Sequence, residues 1–209
     1  MKALILVDIQ NDFCPGGALA VHEGDRIVHV VNRLLPHFDL VVATQDWHPE
    51  AHGSFASNHE GKNPGDMHEL AGLPQVMWPN HCVQKTEGAE FHPELDLKPV
   101  EAVFRKGTDP AIDSYSGFYD NGRKKSTGLV GYFKDKGVTE VHVVGLATDY
   151  CVKFTALDAH QAGFATTVIE DATRGVNLAA GDVDRAIAEM KAAGINVVTS
   201  DAILGTPTR

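Results

Sequence analysis

The chain has 209 residues, 43% hydrophobic and 22% charged, which suits a compact folded core and excludes a low-complexity or disordered protein. A formal net charge of −10 argues against a nucleic-acid or anionic-membrane surface. No apolar stretch approaches the roughly 20 residues a membrane helix needs. The sparse, odd set Cys14, Cys82 and Cys151 suits a reducing cytoplasm better than a disulfide framework.

Taken in chain order, the apolar runs alternate between two periods. "ALILVDI" is a short continuous run that suits a strand buried on both faces, and the N-terminus therefore reads as a strand and not as a signal peptide. "GDRIVHVVNRLLPHF" places Ile27, Val30, Val31, Leu34 and Leu35 at helical spacing. "DLVVATQD" and "EAVFRKG" are further strands, and "GLVGYFKDKG" is a helix ended by Gly137. "TEVHVVGLA" is a strand, and "TDYCVKFTALDAHQAG" is a helix ended by Gly163. "ATTVIEDA", "AGDVDRAIAEMKAAG" and "INVVTS" complete the alternation as strand, helix and strand. Such alternation predicts an α/β fold, a three-layer α-β-α arrangement around a six-stranded, mostly parallel sheet, in one domain over 1–209. Residues 46–100 break the pattern. They are rich in Pro, Gly, His and Asn, and an irregular segment that long inside a compact domain points to function.

Three strand ends carry reactive groups. Asp8 closes the first strand, and Lys106 follows "AVFR". Alone, the one reads as a helix cap or a turn residue and the other as a solvent-facing lysine. Cys151 follows the strand that runs into Gly145. A cap from Thr148 or Asp149 would put it in the first helical turn, where free N–H groups favour a thiolate. The alternative is a small buried hydrophobe. Together an acid, a cation and a thiol form a base, a charge stabiliser and a nucleophile. The loop "TQDWHPEAHGSFASNH" adds Asp46 and His48 as a D-x-H pair, and "WPNHCV" offers His81. A carboxylate with imidazoles suits Zn²⁺, Fe²⁺ or Mn²⁺. His52 reads as a support beside that set, His59 and His68 as solvent-exposed, and Cys82 as structural. A dinucleotide-binding reading fails because no G-x-G-x-x-G follows the first strand. A thiol redox protein using Cys151 stays open, as does an amidase for linear N-carbamoyl substrates.

Five ordered motifs carry a resemblance over nearly the whole length: "LILVDIQNDFCPGGALAV", "ATQDWHPEAHGSFASNH", "WPNHCVQKTEGAEFHP", "FRKGTDPAIDSYSGFYDN" and "VVGLATDYCVKFTALDA". The chain resembles the nicotinamidases of the isochorismatase-like hydrolase superfamily. The resemblance implies a catalytic triad of Asp8, Lys106 and Cys151. It implies one divalent metal ion on Asp46, His48 and His81, with waters completing the shell and the ion orienting the pyridine ring. It implies a ring pocket from Phe13, Leu19, Trp78, Tyr115 and Tyr150. It also implies a cis peptide at Leu146–Ala147 and an oxyanion hole from the amides of Ala147 and Cys151. The implied reaction is hydrolysis of nicotinamide, and of pyrazinamide, through a thioester, serving NAD salvage in a cytoplasmic monomer or homo-oligomer.

Overall fold

A computed structural model describes residues 1–205. The chain forms a six-stranded sheet in the order β5-β2-β1-β6-β7-β8, with every pairing parallel. The strands are β1 (Lys2–Val7), β2 (Leu40–Asp46), β5 (Val100–Lys106), β6 (Glu140–Leu146), β7 (Ala165–Arg174) and β8 (Asn196–Val198). The central strands are β-branched and Leu-rich because both their faces are covered. One face packs α1 (Ile27–Leu34) and α5 (Asp201–Leu204) over Leu4, Leu6, Val41, Val144 and Ile169. The other packs α2 (Leu129–Lys136), α3 (Lys153–Gln161) and α4 (Asp182–Ala192) over Ala3, Ile5, Val42, Val143 and Val168. Successive residues of β1 alternate between these two cores, as the strand period requires. The expected three-layer α/β architecture and its six strands are therefore present.

Three local features differ from the sequence expectation. The segment 46–100 contains an antiparallel hairpin, β3 (Met67–Leu70) with β4 (Leu73–Val76). The four-residue α5 follows β8 and is too short to leave a periodic signal. The helix expected from Thr148 begins instead with a π-helical turn, Thr148–Val152, ahead of α3. Neither Thr148 nor Asp149 caps it. Asp149 turns away and accepts hydrogen bonds from the Val176 and Asn177 amides at 2.9 and 2.7 Å.

The sheet leaves β1 at the centre and sends the chain to opposite sides through β2 and β6. Ligands in open parallel sheets bind outside the carboxyl ends of the strands at such a reversal. Gly145 permits the close β1–β6 approach there. Its φ is +120°, and a Cβ at that position would lie 2.1 Å from the Val7 carbonyl oxygen.

One buried group makes the fold acid-sensitive. His142 on β6 packs against Phe38 with ring centroids 4.9 Å apart, and its Nδ1 has no hydrogen-bond partner among the described residues. Burial lowers its pKa below 6.5, with Glu140 opposing and Lys2 adding to the effect. The unfolded chain therefore binds a proton that the folded chain resists. Stability is lost as pH falls from about 6.5 through the lowered folded value. In His142→Leu, denaturation midpoints measured between pH 7 and pH 5 should fall less steeply than in the parent. Parallel slopes would exclude His142 as the cause.

Candidate active site

Four strand ends meet at the sheet reversal. Asp8 follows β1, Asp46 ends β2, Lys106 ends β5, and Cys151 follows β6 in the π-helical turn. Register brings Asp46 directly opposite Lys106 across the β2–β5 pair. Asp8 holds a left-handed φ of +47°, a conformation that asparagine and aspartate reach more readily than most residues.

The Lys106 ammonium is the hub. It donates to Asp46 Oδ1 at 2.7 Å and to the Ser114 carbonyl at 2.9 Å, and it lies 2.9 Å from Asp8 Oδ2 and 3.4 Å from Cys151 Sγ. All of these groups are buried. Burial alone would lower the lysine pKa, but Asp46 and then Asp8 hold it well above the usual value. For Asp46 burial opposes ionisation, yet Lys106 and then His48 hold its carboxyl well below the usual range. Asp8 shifts the other way: burial raises its pKa, with Lys106 opposing. Its Oδ1 accepts from the Thr44 hydroxyl at 2.7 Å, while Oδ2 accepts no well-aligned hydrogen bond. Oδ2, 2.9 Å from the Lys106 ammonium, is the oxygen that Thr44 does not engage.

At Cys151 burial favours the thiol, against the preference of a helix start for thiolate. Burial raises its pKa well above 9.0; Lys106 opposes this, and Asp8 and Asp46 reinforce it. Carboxylate oxygens of Asp8 and Asp46 and the Cys151 sulfur lie within 4.8 Å of one another. A base within reach of a protonated thiol is the arrangement that makes a nucleophile on demand.

Next to this cluster Asp46, His48 and His81 converge. Asp46 Oδ2 lies 3.2 Å from His48 Nε2 and 3.6 Å from His81 Nε2. His48 Nδ1 is 2.9 Å from the Gly107 carbonyl, and His81 Nδ1 is 2.7 Å from the Pro79 carbonyl. A carbonyl can only accept, so each Nδ1 carries the proton and each Nε2 faces inward. That tautomer is the one a metal-binding imidazole uses, and the donor set fits a divalent ion. His52 packs its ring 4.3 Å from that of His48 and meets the Ser54 hydroxyl at 2.8 Å. Cys82 is buried, with its sulfur 4.0 Å from the Gly88 carbonyl. His59 and His68 are half-buried and not exposed: their rings meet at a tilt with centroids 4.5 Å apart, and His59 Nε2 contacts the Gly53 carbonyl at 2.7 Å.

A pocket opens beside both clusters. Phe13, Leu19, Trp78, Tyr115, Ala147 and Tyr150 line it together with Asp46, His81 and Cys151. The sequence reading named these residues but omitted Val176 and Asp113, which also line it. The Leu146–Ala147 peptide is cis. Several positioning residues were also missed. Gln10 clamps the Asp46 backbone, its Oε1 accepting from the Asp46 amide and its Nε2 donating to the Asp46 carbonyl, both at 2.8 Å. Asp12 accepts from the Cys82 amide at 2.7 Å and so fixes the loop that carries His81. Both belong to the "DIQNDF" segment, where polar residues after a buried strand were the available signal.

A thiol, a carboxylate and an ammonium at the carboxyl ends of a parallel sheet, beside an aromatic cavity, are the equipment of a thiol-dependent α/β hydrolase. The family model for the isochorismatase domain matches residues 2–202. A nicotinamidase of Escherichia coli is 54% identical over 202 residues, covering 95% of this chain and 94% of its own. The structure of an Acinetobacter baumannii nicotinamidase/pyrazinamidase superposes with a TM-score of 0.94 at 47% identity, covering 97% of this chain and 98% of the other. A Pyrococcus horikoshii pyrazinamidase, solved in complex with zinc, gives a TM-score of 0.78 at 40% identity, covering 95% and 98%. The chain belongs to the isochorismatase domain family.

Gly107 tests the metal reading of the histidine set. Its φ is +64°, and a Cβ there would lie 2.3 Å from His48 Cε1. Gly107→Ala should displace the ring and weaken divalent-metal affinity by about 10- to 100-fold, as loss of outer-shell support does. Titration of the metal-free protein with Zn²⁺ checks this. Unchanged affinity in a folded variant would remove His48 from the ligand set.

Proposed function

We propose that this protein is a nicotinamidase that hydrolyses nicotinamide to nicotinate and ammonia, accepts pyrazinamide, and works through a thioester on Cys151. One observation carries the reading: the Lys106 ammonium touches Asp8, Cys151 and Asp46 at once, beside a pocket that Asp46 and Cys151 line together with aromatic side chains. We assign Phe13, Leu19, Trp78, Tyr115 and Tyr150 to the ring. The Trp78 and Tyr150 rings meet edge-on at 4.9 Å, and the Trp78 indole N–H donates to the Tyr115 hydroxyl at 3.3 Å. These walls fix a flat ring in one plane.

The proposed chemistry starts from a carboxylate on Asp8 and a thiol on Cys151. Asp8 Oδ2 takes the thiol proton as the sulfur attacks the carboxamide carbon. Lys106 offsets the charge that would otherwise gather on two carboxylates and a thiolate. The amides of Ala147 and Cys151 receive the oxyanion of the tetrahedral intermediate. Asp8 then returns the proton to the departing nitrogen, because an amide nitrogen leaves poorly without one. Ammonia departs and a nicotinoyl thioester remains. Water gives its proton to Asp8 and attacks the same carbon, and collapse restores the thiol and releases nicotinate. Asp46, His48 and His81 would hold a divalent ion, for which Zn²⁺, Fe²⁺ and Mn²⁺ all suit the donors. Bound there, it would supply a Lewis-acid contact to the ring nitrogen and so orient the ring. A linear N-carbamoyl amide offers no such nitrogen and leaves the aromatic walls unused.

We read the described fold as one catalytic unit that works without nucleic acid or a membrane. Its three free cysteines suit the cytoplasm, and nicotinate release places it in NAD salvage. Among the described residues no helix is long and apolar enough to cross a membrane. The test is ammonia release from nicotinamide by metal-loaded protein beside Cys151→Ala. The parent should turn over, and the variant should lose at least about a thousandfold in kcat, as removal of a nucleophile does. Comparable rates would eliminate the covalent route, and an inactive parent would eliminate the substrate.

A further inference from the structure

Asp113 has no part in the mechanism above, yet it lines the substrate cavity. Its side chain is 3% exposed. The remaining lining separates into hydrophobic and aromatic walls, the nucleophile, and two of the metal donors. Asp113 is thus the one polar side chain on the cavity without an assignment. Its place is defined: a carboxylate oxygen lies within 4.8 Å of ring nitrogens of His48 and His52, which sets it at the metal-donor side of the cavity.

Its orientation is built. Oδ2 accepts from the Gln75 amide at 2.9 Å, and Oδ1 accepts from the Ser114 amide at 2.8 Å. Gln75 is itself buried and also reaches the Tyr115 hydroxyl at 3.1 Å. Trp78, Tyr115, Gln75 and Asp113 therefore form one hydrogen-bonded frame along a wall of the cavity. An ionised carboxylate offers about four lone-pair sites. Two are taken, which leaves accepting capacity on a side chain that lines the cavity. A buried acceptor of this kind rewards a donor and penalises an apolar group of the same size.

We propose that Asp113 is a specificity-determining residue that selects among ring carboxamides. It accepts a hydrogen bond from an amino or hydroxyl substituent on the ring carbon next to the ring nitrogen, and it disfavours an alkyl group there. This rests on the nicotinamidase reading, with the carboxamide at Cys151 and the ring nitrogen toward Asp46, His48 and His81.

A matched pair of substrates tests it. 6-Aminonicotinamide and 6-methylnicotinamide differ by an NH₂ in place of a CH₃ of similar size. Ammonia release by the metal-loaded protein gives kcat/KM for each, with nicotinamide run alongside. The parent should prefer the amino compound by about tenfold or more, the value of one hydrogen bond to a charged group. Asp113→Asn keeps an acceptor for Gln75 but loses the charge, and the amino-to-methyl ratio should fall by about tenfold. Asp113→Ser provides a second variant should the first fold poorly. A parent without the preference, or a ratio within about twofold of the parent in either folded variant, would overturn the assignment. A parent inactive on nicotinamide itself would instead overturn the functional reading.

Discussion

A single buried ammonium holds this site together. Lys106 neutralises Asp8 and Asp46, which would repel one another in the protein interior, and it places Cys151 within the same contact shell. Breaking a buried ion pair by removing one partner costs several kcal/mol, because a charge is left without compensation. The thiol chemistry and the histidine set therefore share one electrostatic foundation. Asp46 belongs to both, with one oxygen on the lysine and the other facing two imidazoles.

The parallel sheet explains why these groups meet. Strands β1, β2, β5 and β6 end at one edge, and each contributes its last residue or the turn that follows. Asp46 and Lys106 are 60 residues apart in sequence but are neighbours in strand register. Crossover helices cover both faces, so the site is dry enough for burial to move pKa values. Burial raises the pKa of both Asp8 and Cys151.

Much of this was legible in the sequence, for definite reasons. Continuous apolar runs and helical spacing gave the six strands and their helices. Strand-end position singled out Asp8, Lys106 and Cys151, and D-x-H with "WPNHC" singled out the imidazoles. The misses have physical causes. "MHEL" and "LPQV" lack the apolar alternation of a strand, so the hairpin was hidden. Asp149 has the composition of a helix cap, but its partners lie 27 and 28 residues downstream. Asp113, Gln10 and Ser114 act through tertiary hydrogen bonds that leave no periodic trace.

The most direct measurement is intact-protein mass spectrometry of the metal-loaded enzyme, acid-quenched during turnover of nicotinamide. The thioester account predicts a species heavier by one nicotinoyl group, mapped by peptide analysis to Cys151 and chased away when substrate is exhausted. Steady turnover with no such adduct under rapid quench, or an adduct on any other residue, would contradict it.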